Sequence, residues 1–572
     1  MKPSRVVPIA CLSLFAALAS PQQGWANRHA VPAENGMVVS VHELGSAAGV
    51  EILKKGGNAV DAAIATGFAL AAVFPAAGNI AGGGFMMIHL ADENRQTVID
   101  YREAAPGGAT RDMFLDAEGK VMTEEGSARI GWRASGVPGT VAGFALAFEK
   151  YGSGRVTWAE VIEPARRLAE GHVLTPGAAV SLRSAAPRLE RYAESKRVYL
   201  KDGQGWKAGE LWPQPELAAT LARLQKEGAR EFYEGETARL IHRAMEANGG
   251  TLTLEDLRGY RAIERETLSQ TYRGHLLVCP PPPSSGGVTL FQMLGMLEPF
   301  DVAGLGPNSA AKLHLFHEVM RRAFCDRIEY LGDPGFVTNP IARLLDRDYL
   351  AKRMADFDPK RATPSKQVKP GLDLRESAET THYSVVDAAG NAVANTYTIR
   401  NSYGSAVTIP GAGLLMNNVM DDLAAKVGEP NQSGLMQGPA NEIAPGKRPL
   451  SSMTPTFVFK DGKLRLVTGS PGGATIINTV LQVVTNVIDF EMPVAHAVNA
   501  PRVTHQWQPD TLSFERYGLS RDTVTLLKDM GHNPVESRGS QGEAETIYID
   551  PKTGLRWGAA DSRLPDTKAI GH

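Results

Sequence analysis

Cysteine is scarce. The 572-residue chain has 3, and one of them, Cys11, lies in an apolar stretch near the N-terminus. The remaining two, Cys279 and Cys325, are too few for a disulfide framework. Both stand in apolar surroundings, Leu277-Val278-Cys279 and Ala323-Phe324-Cys325, which suits two buried thiols at least as well as a pair. An excess of charge is lacking too. The 60 basic and 62 acidic side chains leave a formal net charge of -2, with no basic run and no interleaving of basic and aromatic residues. That excludes a nucleic-acid footprint. Metal-ligand spacing is also missing: His314, His317 and Glu318 fall near one another on a helical pattern without further ligands, so a satisfied histidine pair is expected there.

What is present is ordinary for a soluble globular protein, with 43% hydrophobic and 21% charged residues. The length exceeds one compact core and calls for two domains or one large layered fold. The first 26 residues differ from the rest. Lys2 and Arg5 form a basic start, Val6 to Ala19 an apolar core, and Gly24-Trp25-Ala26 a small-x-small cleavage site. This is the layout of a secretory signal peptide, with an uncleaved anchor as the alternative. The apolar core is too short to span a bilayer in the ordinary way. Export to the periplasm or medium is therefore expected, with no membrane span in the mature chain.

Ser46 to Phe74 reads as helix broken at Gly56-Gly57. Gly82-Gly83-Gly84 then follows a helix and enters the strand-like Phe85 to Leu90. That order is wrong for a dinucleotide site, so close backbone packing is expected and no cofactor. Helical pattern covers roughly Ala159 to Glu170, Glu216 to Glu227 and Lys312 to Leu331. Pro280 to Gly287 is a stiff loop before another helix. Arg361 to Ala378 is polar and aperiodic and reads as exposed and flexible. Two β-rich runs follow, Thr381 to Asp387 and Ala392 to Ile399, joined by the turn Ala388-Ala389-Gly390-Asn391. Helical pattern returns at Ala474 to Ile488 and Arg521 to Met530, so the C-terminal part reads as sheets covered by helices.

A four-residue turn makes cross-strand partners sum to about 779, give or take one, which sets Thr398 opposite Thr381 and beside Thr380 at the open end of the hairpin. A free amine on Thr380 could serve as base for its own hydroxyl, the N-terminal-threonine way of activating a weak nucleophile. The Thr380 hydroxyl could first attack the Glu379 carbonyl, and hydrolysis of that ester would expose the amine. Gly472-Gly473, before a helix starting near Ala474, offers backbone N–H groups for an oxyanion hole. Ser451 and Ser452 sit at a turn, and Asn417 to Asp422 bring carboxylates and amides just after a strand.

Thr380-Thr381-His382-Tyr383-Ser384, Arg448-Pro449-Leu450-Ser451-Ser452-Met453 and Gly469-Ser470-Pro471-Gly472-Gly473 resemble segments of the γ-glutamyltransferase (glutathione hydrolase) family. So do Gly57 to Ala63, Arg102 to Pro106, Val137 to Thr140 and Asn499 to Arg502, in family order from about residue 30 to the C-terminus. The resemblance implies a four-layer αββα sandwich of the α+β class. It implies self-cleavage into a large subunit, 27–379, and a small catalytic subunit, 380–572, that stay together as a heterodimer. Thr380 would be the nucleophile, Thr398 its hydrogen-bond partner, and Gly472 and Gly473 the oxyanion hole. Arg102, Ser451 and Ser452 would hold the donor's α-carboxylate and Asp422 its α-ammonium group, as the bidentate fit of Arg to a carboxylate allows. The substrates implied are a γ-glutamyl donor and water or an amine acceptor.

Two positions depart from the family pattern. Arg400 stands where many members carry Asn, and Val419 where they carry Gln or Glu, both partners of the donor's amine. Turned inward, Arg400 would repel an ammonium group; turned outward, it would leave the amide role to Asn401. The covering segment Leu423 to Asn441 has Gln432-Ser433 where bacterial members usually place an aromatic residue, which implies a looser lid. The alternatives to γ-glutamyl transfer are an amide hydrolase of altered donor (glutaryl or cephalosporin acylase-like, or polyglutamate-cleaving) and an inactive binding homologue.

Overall fold

The helix Ala59–Val73 is buried along its whole length, which its run of alanines and small residues permits. Asn58 caps it: its side chain accepts from the N–H groups of Val60 and Asp61, and the Asp61 carboxylate accepts from the Asn58 N–H. The carboxylate of Asp387, in the turn of the 381–398 hairpin, accepts the N–H of Ala59 at 3.0 Å. One helix start and one hairpin turn, far apart in sequence, are thereby tied together. The expected break falls between this helix and Glu43–Lys54.

The computed structural model describes residues 29–370, 381–432, 438–537 and 539–572. The N-terminal 26 residues, the Glu379-Thr380 bond and Ser433 lie outside the described residues.

Two seven-stranded sheets form the middle layers. One runs Lys568–Gly571, Met37–Ser40, Thr381–Val386, Ala392–Thr398, Gly83–Leu90, Arg95–Asp100, Ile263–Arg265, with every neighbour antiparallel. The other runs Val31–Ala33, Arg556–Ala559, Thr546–Ile549, Lys463–Thr468, Thr456–Lys460, His275–Cys279, Leu268–Tyr272. Their inner faces meet through Met37, Val39, Phe85, Met87, Val386, Phe457, Val467 and Ile547. Helices Ala59–Val73 and Thr140–Tyr151 cover the outer face of the first sheet. Helices Gly286–Leu297, Ala310–Tyr330 and Ile476–Ile488 cover that of the second. This is the αββα sandwich that the resemblance implied. In both sheets, strands from beyond residue 380 lie beside strands from before it, so each half of the chain completes the other's sheets.

Several expectations are met closely. The three middle helices fall at Trp158–Glu170, Pro215–Glu227 and Ala310–Tyr330. Cys279 and Cys325 are buried and free. The glycine cluster packs backbone to backbone: a Cβ on Gly82 would lie 1.8 Å from the Thr398 carbonyl oxygen.

Three expectations need correction. The hairpin register pairs Thr381 with Tyr397, not with Thr398. Its turn spans Asp387 to Asn391, one residue more than the four assumed, with Asp387 itself accepting from the Asn391 N–H. The helix expected near Ala474 begins at Ile476, after a 3-10 turn at Gly473–Thr475. The segment read as exposed from Arg361 is docked as far as it is described, with Ala362, Ser365 and Val368 buried. Polar anchors explain why an aperiodic segment still packs. Arg321 Nε donates to Ser365 Oγ at 3.0 Å, and Trp507 Nε1 donates to the carbonyl oxygen of Ser365 at 2.9 Å and of Val368 at 3.2 Å.

Candidate active site

The site grows from the ends of two central strands. Thr398 closes the strand Ala392–Thr398, between Thr381–Val386 on one side and Gly83–Leu90 on the other. Its hydroxyl accepts the Arg400 N–H at 2.7 Å. That bond turns the chain sharply: Arg400 adopts φ 77°, the left-handed region that costs a non-glycine residue energy. The turn drives the Arg400 side chain inward, which answers the question the sequence left open.

Arg400 is fully buried. Its Nε donates to Asp422 Oδ1 at 2.7 Å and its Nη2 lies 2.8 Å from Asp421 Oδ2. Its Nη1 donates to Asn401 Oδ1. Asn401 in turn donates to Gln432 of the covering segment. The other oxygen of Asp422 is taken by Arg102 Nη2, and Arg102 also pairs with Glu103 at 2.9 Å. Arg129 reaches Asp421 at 3.6 Å. Three guanidinium groups thus face three carboxylates in one buried cluster, the arrangement that burying charge demands. Val419 is buried close by, between Asn418 and Met420 in the same 3-10 turn as Asp421 and Asp422.

Burial sets the acidities here. It pushes the Glu103 carboxyl up to about 7, against the pull of Arg102. It raises Asp421 to about 6, against Arg400. For Arg102, burial works downward but is outweighed by Glu103 and Asp422, so its guanidinium is held above the usual arginine range.

The serine turn is joined to this cluster. Arg102 Nε donates to the Pro449 carbonyl at 3.1 Å. Ser451 accepts the Met453 N–H on its hydroxyl and the Ser285 N–H on its carbonyl. Arg327, from the helix Ala310–Tyr330, donates to Ser452 Oγ at 2.8 Å and to Ser285 Oγ at 2.7 Å. The stiff loop Pro280 to Gly287 therefore lies directly against Ser451.

Gly472 and Gly473 adopt φ 119° and 60°, followed by the 3-10 turn and the helix Ile476–Ile488. Successive N–H groups in such a turn at a helix start form an anion-binding concavity. Only a glycine fits at 472, since a Cβ there would lie 2.5 Å from Thr475 Oγ1 and 2.9 Å from Gly542 Cα. The link to the hairpin is Gly469, where a Cβ would come within 2.4 Å of the His382 ring. His382 is buried and hydrogen-bonded to Thr396 and Ser384, and burial lowers its pKa to about 3, so it stays neutral.

Of the residues picked from sequence, Arg102, Arg400 and Asp422 are in direct contact. Thr398 joins them through the Arg400 backbone, and Ser451-Ser452 through Pro449. Gly472 and Gly473 connect only by way of Gly469 and His382. Thr380 lies outside the described residues. Glu103, Asp421, Arg129 and Arg327 were given no role from sequence. The signal for Glu103 was its place beside Arg102 and for Asp421 its place among the carboxylates of Asn417 to Asp422; Arg129 and Arg327 carried none.

The histidines on the helix Ala310–Tyr330 are core residues with more company than expected. His314 bonds His532 and the Asp358 carbonyl, while His317 lies between His505 and His532. His314, Glu318 and His532 each bring one potential ligand atom within 4.8 Å of the others. Glu318, however, is held by Arg321 and Arg322, and two cations around its carboxylate disfavour a third.

Two strand layers between helix layers make up the architecture of an N-terminal-nucleophile hydrolase. The gamma-glutamyltranspeptidase family model matches residues 45–571. The chain belongs to that family. It is 46% identical over 548 residues to a glutathione hydrolase proenzyme of Escherichia coli strain K12, covering 95% of this chain and 93% of that one. It is 38% identical over 537 residues to an acylase ACY 1 proenzyme of Pseudomonas sp. strain V22, covering 93% of each. Its structure resembles a cephalosporin acylase from Bacillus halodurans with a TM-score of 0.86 at 27% identity, covering 98% of this chain and 99% of that one. Among the described residues no helix is long and apolar enough to cross a membrane.

Proposed function

We propose that the protein transfers and hydrolyses γ-glutamyl groups of γ-glutamyl amides such as glutathione, through an acyl-enzyme on Thr380. The precursor cuts itself between Glu379 and Thr380, leaving large (27–379) and small (380–572) subunits as one heterodimer. The interleaving of strands from both sides of residue 380 supports this, since the two pieces share both sheets. Residues 1–26 direct export, and the enzyme acts in the periplasm or medium.

The observation that carries the reading is the ladder of the hairpin. Thr381, which follows the proposed nucleophile in sequence, pairs with Tyr397, which precedes Thr398. In the mature enzyme the Thr380 amine takes the proton from its own hydroxyl, the oxygen attacks the γ-carbonyl, and the leaving amine departs protonated. The Thr398 hydroxyl steadies the nucleophile. The N–H groups of Gly472 and Gly473 receive the developing oxyanion. Arg102, with Ser451 and Ser452, binds the donor's α-carboxylate, and Asp422 is the acidic group nearest the α-position. Water or an amine then resolves the acyl-enzyme.

The test is release of p-nitroaniline from γ-glutamyl-p-nitroanilide, with and without a dipeptide acceptor. The wild type should release it and the acceptor should speed release. Thr380→Ala should abolish it; retained activity in that variant would refute the assignment.

A further inference from the structure

We infer that His382 is a positioning residue of the acyl-transfer reaction: its imidazole is the spacer that sets the Gly472-Gly473 oxyanion donors relative to the strand that begins at Thr381. The inference rests on the function proposed above and adds the part that joins the two halves of its site.

Nucleophile and oxyanion donors come from different sheets. Thr381–Val386 belongs to the first, and Gly469 to Gly473 follow Lys463–Thr468 of the second. The gap between them has to be fixed, because a misplacement of about 1 Å at a reacting centre costs up to about a hundredfold in rate. His382 stands in that gap, fully buried. On the first sheet it lies opposite Thr396 in the ladder, with Nδ1 2.8 Å from the Thr396 hydroxyl. Toward the second sheet its Nε2 lies 3.0 Å from Ser384 Oγ, and that hydroxyl donates at 2.7 Å to the carbonyl of Glu545, next to the strand Thr546–Ile549. The Ser384 proton is thereby committed to Glu545. Nε2 therefore carries the ring proton and donates to Ser384, while Nδ1 accepts from Thr396. One tautomer satisfies the whole chain, and both ring nitrogens are spent on the scaffold. Burial lowers the ring's pKa to about 3, so it stays neutral. His382 acts through geometry, not as an acid or base.

The Gly469 backbone rests on this fixed ring. A Cβ at 469 would lie 2.4 Å from both Cε1 and Nδ1 and 2.8 Å from Nε2. From there to Gly472 the chain has little freedom. Ser470 Oγ donates to the Pro471 carbonyl at 2.6 Å and accepts the Glu543 N–H at 3.1 Å, and the Pro471 ring locks its own φ. Gly472 packs against Gly542, whose Cα would be 2.9 Å from a Cβ at 472. Any shift of the His382 ring is passed along this stiff stretch to the Gly472 and Gly473 N–H groups.

The experiment measures two inhibition constants in self-cleaved wild type, His382→Ala, Gly469→Ala and the double variant. One inhibitor is L-glutamate. The other is its analogue with a boronic acid in place of the γ-carboxyl group. The Thr380 oxygen bonds the boron, the hydroxyl proton passes to the Thr380 amine, and the boron becomes tetrahedral and anionic like the intermediate. The ratio of the two constants does not depend on how much protein is folded, so a merely structural role leaves it unmoved. Each single variant should weaken the boronic acid relative to L-glutamate by about tenfold or more, within the scale of one oxyanion donor. In the double variant the new methyl group meets no ring, so the loss should fall short of the product of the two single losses by about threefold or more. A ratio unmoved in either single variant, or losses that simply multiply, overturns the inference. Should His382→Ala stay uncut, Thr396→Val, which removes only the hydroxyl bonded to Nδ1, takes its place. The ratio should then move the same way, and an unmoved ratio again overturns the inference. A wild type that stays uncut and releases no p-nitroaniline would instead sink the acyl-transfer reading itself, which keeps the two failures apart.

Discussion

The guanidinium group of Arg400 lies against the carboxylate of Asp422, Nε to Oδ1 at 2.7 Å, with both side chains fully shielded from solvent. The same carboxylate is gripped from its other oxygen by Arg102. Asp422 is thus the pivot of a buried ion cluster and, in the function proposed here, a wall of the donor site.

Removing that pivot alone should be costly. Asp422→Asn leaves Arg102 and Arg400 facing each other without the charge between them, and breaking a buried pair this way costs about 3–5 kcal/mol. Arg400→Asn combined with Asp422→Asn removes the like-charge confrontation, so the double variant should lose at least about 1 kcal/mol less than the sum of the singles. Urea unfolding of the four proteins measures it. Strict additivity would mean that the two side chains do not share one network.

Glu103 gives the donor site a pH dependence near neutrality. Its folded pKa of about 7 stands above the ordinary carboxyl value, so this group favours the folded state most at low pH. That contribution is lost as pH rises through about 7. Once ionised, Glu103 competes with the donor carboxylate for Arg102. KM for the donor should therefore rise between about pH 6 and pH 8, and Glu103→Gln should flatten that rise. A wild-type KM level across this range would contradict the assignment.

The histidine cluster acts in the opposite sense. Burial, helped by Arg321, holds His505 at about 4, and burial with the neighbouring His314 holds His532 at about 3. His317 is pushed well below its ordinary value, again chiefly by burial. Unfolded histidines take up protons near 6.5, so stability from this cluster is complete above that value and falls as pH drops toward about 4. The urea midpoint should be lower at about pH 5 than at about pH 7.5, and His317→Leu should reduce the difference. Equal slopes in both proteins would place the acid sensitivity elsewhere.

Gly82 tests the packing behind Thr398. A methyl group there would meet the Thr398 carbonyl oxygen at 1.8 Å, backbone against backbone, with nothing flexible to yield. Gly82→Ala should destabilise by about 1–3 kcal/mol or more and lower kcat by moving Thr398. Unchanged melting and kcat would show that the strand end is not held as described.

Local patterns made much of this legible in the sequence. β-rich composition and a turn sequence marked the hairpin at 381–399, and the wrong strand–helix order turned Gly82 to Gly84 from a phosphate loop into a packing contact. What stayed hidden depends on distant partners. The inward course of Arg400 follows from a left-handed backbone and from Asp422, neither visible at position 400. Arg327 carries no local sign of its place, yet it is buried because Ser285 and Ser452 receive it. The one-residue error in the hairpin register came from Asp387, whose carboxylate joins the turn and lengthens it. The docking of residues 361–370 shows no periodicity, because single anchors such as Arg321 and Trp507 supply it.

The most direct test of the whole account is intact-mass analysis of the purified protein after denaturing separation. Two pieces are expected, the smaller running from Thr380 to His572, with Thr380→Ala remaining a single chain. A single uncut chain in an active wild type, or a smaller piece that starts anywhere other than Thr380, would contradict it.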